Sequence, residues 1–201
     1  FMKKFWKKIG ETTLKLSDGK EIKMPVSELS DTPPASHIIA SKIGVQRKFL
    51  TLTLYGAGNG RDHYYQIKEI PKSNGKVRTI HAISGRLKIL QRKMLHYLST
   101  NYPPTVFAKG FVKGGSIIEN AKVHRNKNLL IKMDIKDFFP SISFARVMGM
   151  FQAVPFEFSK DEAVILAQTC CLDNNGPIPQ GGVTSPYISN MICRKLDSRL
   201  S

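Results

Sequence analysis

The sequence predicts an α+β fold in which helices pack on a small antiparallel sheet. Apolar residues recur at spacings of three and four in several separate stretches, the mark of amphipathic helices. An Asn-Gly turn signal in Lys72-Ser73-Asn74-Gly75-Lys76 joins two runs of strand character. A single dense aliphatic run, Leu129 to Met133, leads into Asp134 and reads as a buried strand. At 201 residues the chain is long enough to bury a sizeable core in one or two domains.

Charge narrows the partner. Lys and Arg number 31 against 15 Asp and Glu, a net +16. Such an excess draws polyanions, nucleic acid above all. No segment approaches the ~20 apolar residues that span a bilayer, so no membrane partner is expected. Cys170, Cys171 and Cys193 fit neither a disulfide framework nor a zinc spacing. They are expected reduced and buried, in a cytoplasmic protein. Phe1-Met2-Lys3-Lys4 lacks the apolar stretch of a signal peptide, and a Phe before the Met is what an excised piece would show.

In chain order, residues 1–32 are Lys-rich, with a hairpin signal at Ser17-Asp18-Gly19-Lys20. Pro33-Pro34 opens a helical pattern of Ile38, Ile39 and Ile43, closed by Gly44. Phe49 to Leu54 is a second apolar stretch. The loop Gly56-Ala57-Gly58-Asn59-Gly60 neither follows a clear strand nor opens a helix, which excludes a dinucleotide-binding loop. His63–Pro71 and Val77–Ala82 form the predicted hairpin. Its tip and return strand carry Lys72, Lys76 and Arg78, either a solvated basic surface or a clamp for a triphosphate.

Ser84 is placed to cap a helix bearing Leu87, Leu90, Met94 and Leu98. Lys109 to Ser116 lacks the Gly-Lys-Ser/Thr ending of a phosphate-binding loop, which argues against nucleotide hydrolysis. Ser116 and Glu119 have capping-box spacing, and Asn120 and His124 share the face of the helix that follows. By themselves those two residues read as a helix-to-loop hydrogen bond. Phe144–Phe151 is helical. Ser159-Lys160-Asp161-Glu162 is a second capping box, which accounts for both carboxylates without a metal. The loop Pro179-Gln180-Gly181-Gly182 precedes a helix with Ser185 at its N-cap and Ile188, Met191, Ile192 and Leu196 on its buried face.

Asp134, at the end of its aliphatic run, is the residue the rest of the chain bears on. A buried carboxylate there costs several kcal/mol, as an order of magnitude, unless it is paired. A divalent cation is one common partner. A strand ending in an Asp-containing turn is the plain alternative for Asp134 alone.

Taken together, four stretches resemble a reverse transcriptase of the bacterial retron type, with group II intron enzymes next. They are Ile70-Pro71-Lys72-Ser73-Asn74-Gly75-Lys76-Val77-Arg78-Thr79-Ile80, then Asn120-Ala121-Lys122-Val123-His124, then Met133 to Ile142, and last Pro179 to Pro186 followed by Ser189-Asn190 and Leu196-Asp197. The resemblance covers roughly Pro33 to Ser201. It implies a right-hand polymerase fold, of which this chain holds the fingers and part of the palm, with the thumb absent. The implied divisions are a Lys-rich extension (1–32), fingers and connecting helices (33–127), and a palm strand with the first catalytic Asp (128–142). Fingers-side helices and a nucleotide-contacting loop (143–182) and the start of a palm helix (183–201) complete them.

The implied chemistry is attack of a primer 3′-hydroxyl on a dNTP α-phosphate, assisted by two Mg2+ ions. Asp134 matches the first metal-binding aspartate, with the Ile135 carbonyl completing a shell. Asp137 matches a residue whose backbone lies near the triphosphate. Phe139 falls at the gate that blocks a ribose 2′-hydroxyl, while Phe138 is expected in the core beside the nucleotide site. Gln180 and Gly181 match nucleotide contacts, and Lys72 and Arg78 match the triphosphate grip. Lys76, Asn120 and His124 become RNA-contact candidates. The implied partners are a structured non-coding RNA template-primer, dNTPs and, as for several retron enzymes in anti-phage defence, an effector protein.

One departure matters. The family's Tyr-Xaa-Asp-Asp motif is absent, so this piece alone is expected to bind nucleic acid weakly, polymerise nothing and expose apolar palm surface. A catalytically dead RNA-binding or assembly module shares the same fold and charge. A group II intron maturase-like enzyme is disfavoured by Asn120 and His124.

Overall fold

The computed structural model describes residues 13–15, 21–23, 34–56, 62–71, 75, 77–172 and 176–200. The chain divides into two compact units, 1–33 and 34–201. Within the first, β1 (Thr13–Lys15) pairs antiparallel with β2 (Glu21–Lys23), Leu14 opposite Ile22, on either side of the Ser17–Lys20 turn signal.

The second unit is mainly helical. In order it contains α1 (Ala35–Lys42), α2 (Arg47–Tyr55), β3 (Tyr65–Pro71), β4 (Val77–Ile83) and α3 (Gly85–Asn101). Then come α4 (Ile117–Lys122), α5 (Phe144–Gln152), α6 (Lys160–Cys170) and α7 (Ser185–Leu200). Gly44 at φ +68° ends the first of these helices, a backbone conformation that favours glycine. The α3 stripe Leu87, Leu90, Met94 and Leu98 is fully buried, as its spacing predicts. Phe151, Phe156 and Phe158 pack with Tyr102 beside it, ring centroids 4.8 to 6.3 Å apart. The outer face of α3 carries Arg86, Arg92 and Lys93, and the whole helix has no acidic residue.

Strands β3 and β4 pair antiparallel from Tyr65 opposite Ile83 to Pro71 opposite Val77. The hairpin stands away from the core, with Ile67, Ile70 and Val77 exposed, and only its Ile83 end is buried. Helix α6 begins with the capping box its sequence announces. Glu162 N–H donates to Ser159 Oγ at 3.3 Å, and Ser159 N–H donates to Glu162 Oε2 at 3.0 Å.

Several expectations are corrected. Residues 128–142 do not form a buried strand: 129–135 have no regular structure, and Leu129, Ile131 and Met133 are 72–77% exposed. A strand needs a neighbouring ladder to satisfy its backbone. Among the described residues none pairs with this segment. Its aliphatics Leu129, Leu130, Ile131 and Met133 are instead exposed apolar surface. Ser84 does not cap α3, because its hydroxyl donates to Tyr64 O at 3.1 Å. Ser116 caps α4, but Glu119 pairs with Lys122 at 2.6 Å rather than closing the box. His124 lies beyond the end of that helix, so it and Asn120 share no helical face. Leu196 is exposed where a buried stripe was expected.

Candidate active site

A cleft of about 1000 Å³ opens where β4, the turn after Asp134 and the start of α7 converge. It is lined by Arg78, Asp134, Ile135, Asp137, Phe138, Phe139, Gln180 and Gly181, all site candidates from the sequence. They come from three segments far apart in the chain.

The turn that carries Asp137 and both phenylalanines is tightly wound. Asp137 takes φ +48°, its carbonyl accepts from Ser141 N–H at 2.9 Å, and Phe139 O accepts from Ile142 N–H at 3.1 Å. Ser141 Oγ donates to Phe138 O at 2.7 Å. Ile142 is fully buried, and its carbonyl accepts from Ile178 N–H at 3.0 Å. A Ser143–Pro177 bridge adds to that link, tying the turn after Asp134 to the run before Gln180.

Gln180 is held against the hairpin, its carbonyl accepting from His81 N–H at 2.7 Å. Gly181 follows at φ +105°, and a Cβ there would lie 2.9 Å from both His81 O and Ile80 Cγ2. Conformation and space therefore both require glycine at this point. Gly182 is equally confined, since a Cβ would meet Ser185 Oγ at 2.6 Å. That hydroxyl donates to Pro179 O at 2.7 Å and closes the turn.

Asp134 faces the cleft but is exposed, which corrects the expectation of a buried carboxylate. No desolvation penalty calls for a partner; its place in one cleft with Arg78, Phe139 and Gln180 is what singles it out. Phe138 and Phe139 are half-buried with ring centroids 5.7 Å apart, each touching the core and lining the cleft. Lys72 and Lys76 lie outside the described residues. Asn120 and His124 are exposed and line no part of the cleft.

Sequence reasoning missed Phe111, Lys136, Ser185 and Gln91. Phe111 reaches the cleft from a loop whose Gly110 carbonyl accepts from Asn190 Nδ2 at 2.9 Å, while Asp197 accepts from Thr105 Oγ1 at 3.1 Å. Asn190 and Asp197 of those two sequence pairs thus tether that loop. Lys136 between two aspartates was a visible signal. Nothing in the sequence announced Gln91, which holds Val183 N–H at 2.9 Å from inside the core. A second cleft of about 230 Å³ shares Arg78, Asp137 and Gln180. It is also lined by His81, whose buried Nδ1 has no partner among the described residues.

The donor set fits a divalent cation in part. Asp134 and Asp137 are the carboxylates of the cleft. Among the described residues no three His, Cys, Asp or Glu side chains converge on one point. Magnesium commonly takes one or two protein carboxylates and fills its octahedron with water and phosphate oxygens. The cleft can anchor such an ion but does not complete a two-ion cage. No helix among the described residues is long and apolar enough to cross a membrane.

Comparison with known proteins gives the chain its family. Residues 70–201 match the family described as reverse transcriptase (RNA-dependent DNA polymerase), and the chain belongs to that family. Within it, the chain is similar to the Retron Mx65 reverse transcriptase of Myxococcus xanthus, 34% identical over 81% of this chain and 42% of that protein. It is equally similar to the Retron Ec86 reverse transcriptase of Escherichia coli, 34% identical over 80% of this chain and 48% of that protein. A third relative is the Retron Mx162 reverse transcriptase of Myxococcus xanthus, at 36% over 69% of this chain and 31% of that protein. The retron-type resemblance seen in the sequence is borne out. The chain spans less than half the length of these relatives.

Proposed function

We propose that this chain forms the nucleotide-binding part of an RNA-directed DNA polymerase of retron type, in which the cleft receives a dNTP opposite an RNA template. The observation that carries this reading is the convergence of Arg78, Asp134, Phe139 and Gln180 on one cleft, in a chain of reverse transcriptase family. The right-hand arrangement follows from the same reading, with the β3–β4 hairpin as fingers and the segment around Asp134 as palm.

Each residue has a task. The planar guanidinium of Arg78 grips triphosphate oxygens two at a time, Lys72 of the same hairpin motif adds point charge, and Lys76 meets the RNA. Phe139 occupies the space a ribose 2′-hydroxyl would need and so selects deoxynucleotides. Gln180 contacts the sugar and base, and Gly181 lets its backbone lie close to them. Asp137 presents backbone to the phosphates. The Asp134 carboxylate and the Ile135 carbonyl would hold Mg2+, which when bound stabilises negative charge on the attacking and leaving oxygens. The template-primer is a structured non-coding RNA, contacted in addition by Asn120 and His124. An effector protein is a further partner of the whole protein.

A non-catalytic RNA-binding module would keep the basic surface and have no use for Asp134. Primer extension by the full-length protein, with an RNA template and dNTPs, separates the two. Asp134→Ala abolishes incorporation while RNA affinity stays near wild type. Incorporation that survives this substitution sinks the assignment of Asp134.

A further inference from the structure

Helix α3 buries one polar side chain in an otherwise apolar stripe. Gln91 sits among Leu87, Leu90 and Met94 and, like them, is 0% exposed. A carboxamide so placed must make its hydrogen bonds inside the protein. Both ends of Gln91 do so. Its Nε2 donates to Thr169 O, near the end of α6, at 2.7 Å. Its Oε1 accepts from Val183 N–H at 2.9 Å and from Thr184 N–H at 3.4 Å, across more than ninety residues of chain.

Those two N–H groups belong to the residues that directly follow Gly182. The other side of the turn is fixed by His81 N–H donating to Gln180 O, and Ser185 Oγ spans it by donating to Pro179 O. The Gln180–Gly182 turn is therefore strung between strand β4 and the side chain of Gln91. Gln91 itself lines neither cleft, so it meets no nucleotide.

We infer that Gln91 is a positioning residue: its carboxamide oxygen fixes the exit of the Gln180–Gly182 turn, and so the pose of the turn's contacts with the incoming nucleotide. This rests on the reading of the larger cleft as the dNTP site. The donor bond to Thr169 serves the end of α6, and the acceptor bonds serve the turn. The two ends can be separated by substitution. Gln91→Met is close in shape and loses both. Gln91→Glu keeps an acceptor for Val183 and Thr184 and, in its ionised form, loses the donor and leaves a buried charge facing Thr169 O.

The test is single-nucleotide incorporation by the full-length protein on an RNA template-primer, with thermal melting alongside. Gln91→Met raises the dNTP KM on the order of tenfold, about what one lost net hydrogen bond is worth, and leaves template-primer affinity unchanged. Gln91→Glu recovers most of that loss even though its Tm stays below wild type. If both variants melt lower while their dNTP KM stays at the wild-type value, Gln91 is a core residue only and the inference is overturned. Should Gln91→Met fail to fold, amide exchange in the wild-type protein decides. Val183 and Thr184 exchange slowly if Oε1 holds them, and free-loop exchange rates overturn the tether. Absence of any incorporation by wild type counts against the polymerase reading, and the exchange result still judges the tether.

Discussion

Phe139 is half-buried, packs against the core and lines the same cleft as Gln180 and Gly181. A ring so supported cannot yield easily to an added hydroxyl, because close-packed neighbours resist displacement. Phe139→Ala therefore raises rNTP use relative to dNTP, read as the ratio of kcat/KM values. Unchanged discrimination would make Phe139 a packing residue alone. Much of this site was legible through the resemblance to reverse transcriptases, which is what named Phe139 and Gln180, whereas the residues alone offered only a basic Arg78 on a hairpin and Asp134 after an aliphatic run. The burial of Asp134 was misjudged. Aliphatic residues before a carboxylate reveal an apolar run, and nothing in that run reveals whether a neighbouring strand covers it. Gln91 was illegible for a different reason: its partners are backbone groups more than seventy residues away, and a lone glutamine carries no periodic signal.

Helix α6 shows how a local signal becomes a stability term. Burial alone would push the Glu162 carboxyl up, but the Ser159 N–H and the Lys42 ammonium, 3.0 Å away, hold it below its ordinary value of 4.5. A carboxyl lowered in the folded state stabilises fully above its unfolded pKa and loses that contribution as pH falls through the folded value. Acid therefore erodes stability from about pH 4.5 downward, and Glu162→Gln flattens that limb of the melting profile. At neutral pH, Ser159→Ala costs about 1 kcal/mol, measured by denaturant unfolding. The helices were legible because periodicity and caps are local. Where tertiary structure intervened, the reading failed. The Ser84 hydroxyl found Tyr64 O instead of its own helix, and the run before Asp134 found no strand to pair with among the described residues.

For the whole molecule, charge dominates. A net +16 gives cations a twofold excess over carboxylates, and the described residues include the ion pairs Lys42–Glu162 and Lys122–Glu119. On the proposed function, RNA affinity of the full-length protein is expected to fall with salt, at a log–log slope of about −0.7 for each single-strand phosphate contacted. A flat response between low and physiological salt would remove the electrostatic basis of the interface. The central claim is that the large cleft grips the nucleotide's phosphates through Arg78. Single-turnover incorporation on an RNA template, titrated with dNTP, reads that grip directly. Arg78→Ala weakens the dNTP Kd by about tenfold or more, the worth of a charge-assisted hydrogen bond, with RNA affinity little changed. An unaltered dNTP Kd in that variant would contradict the account.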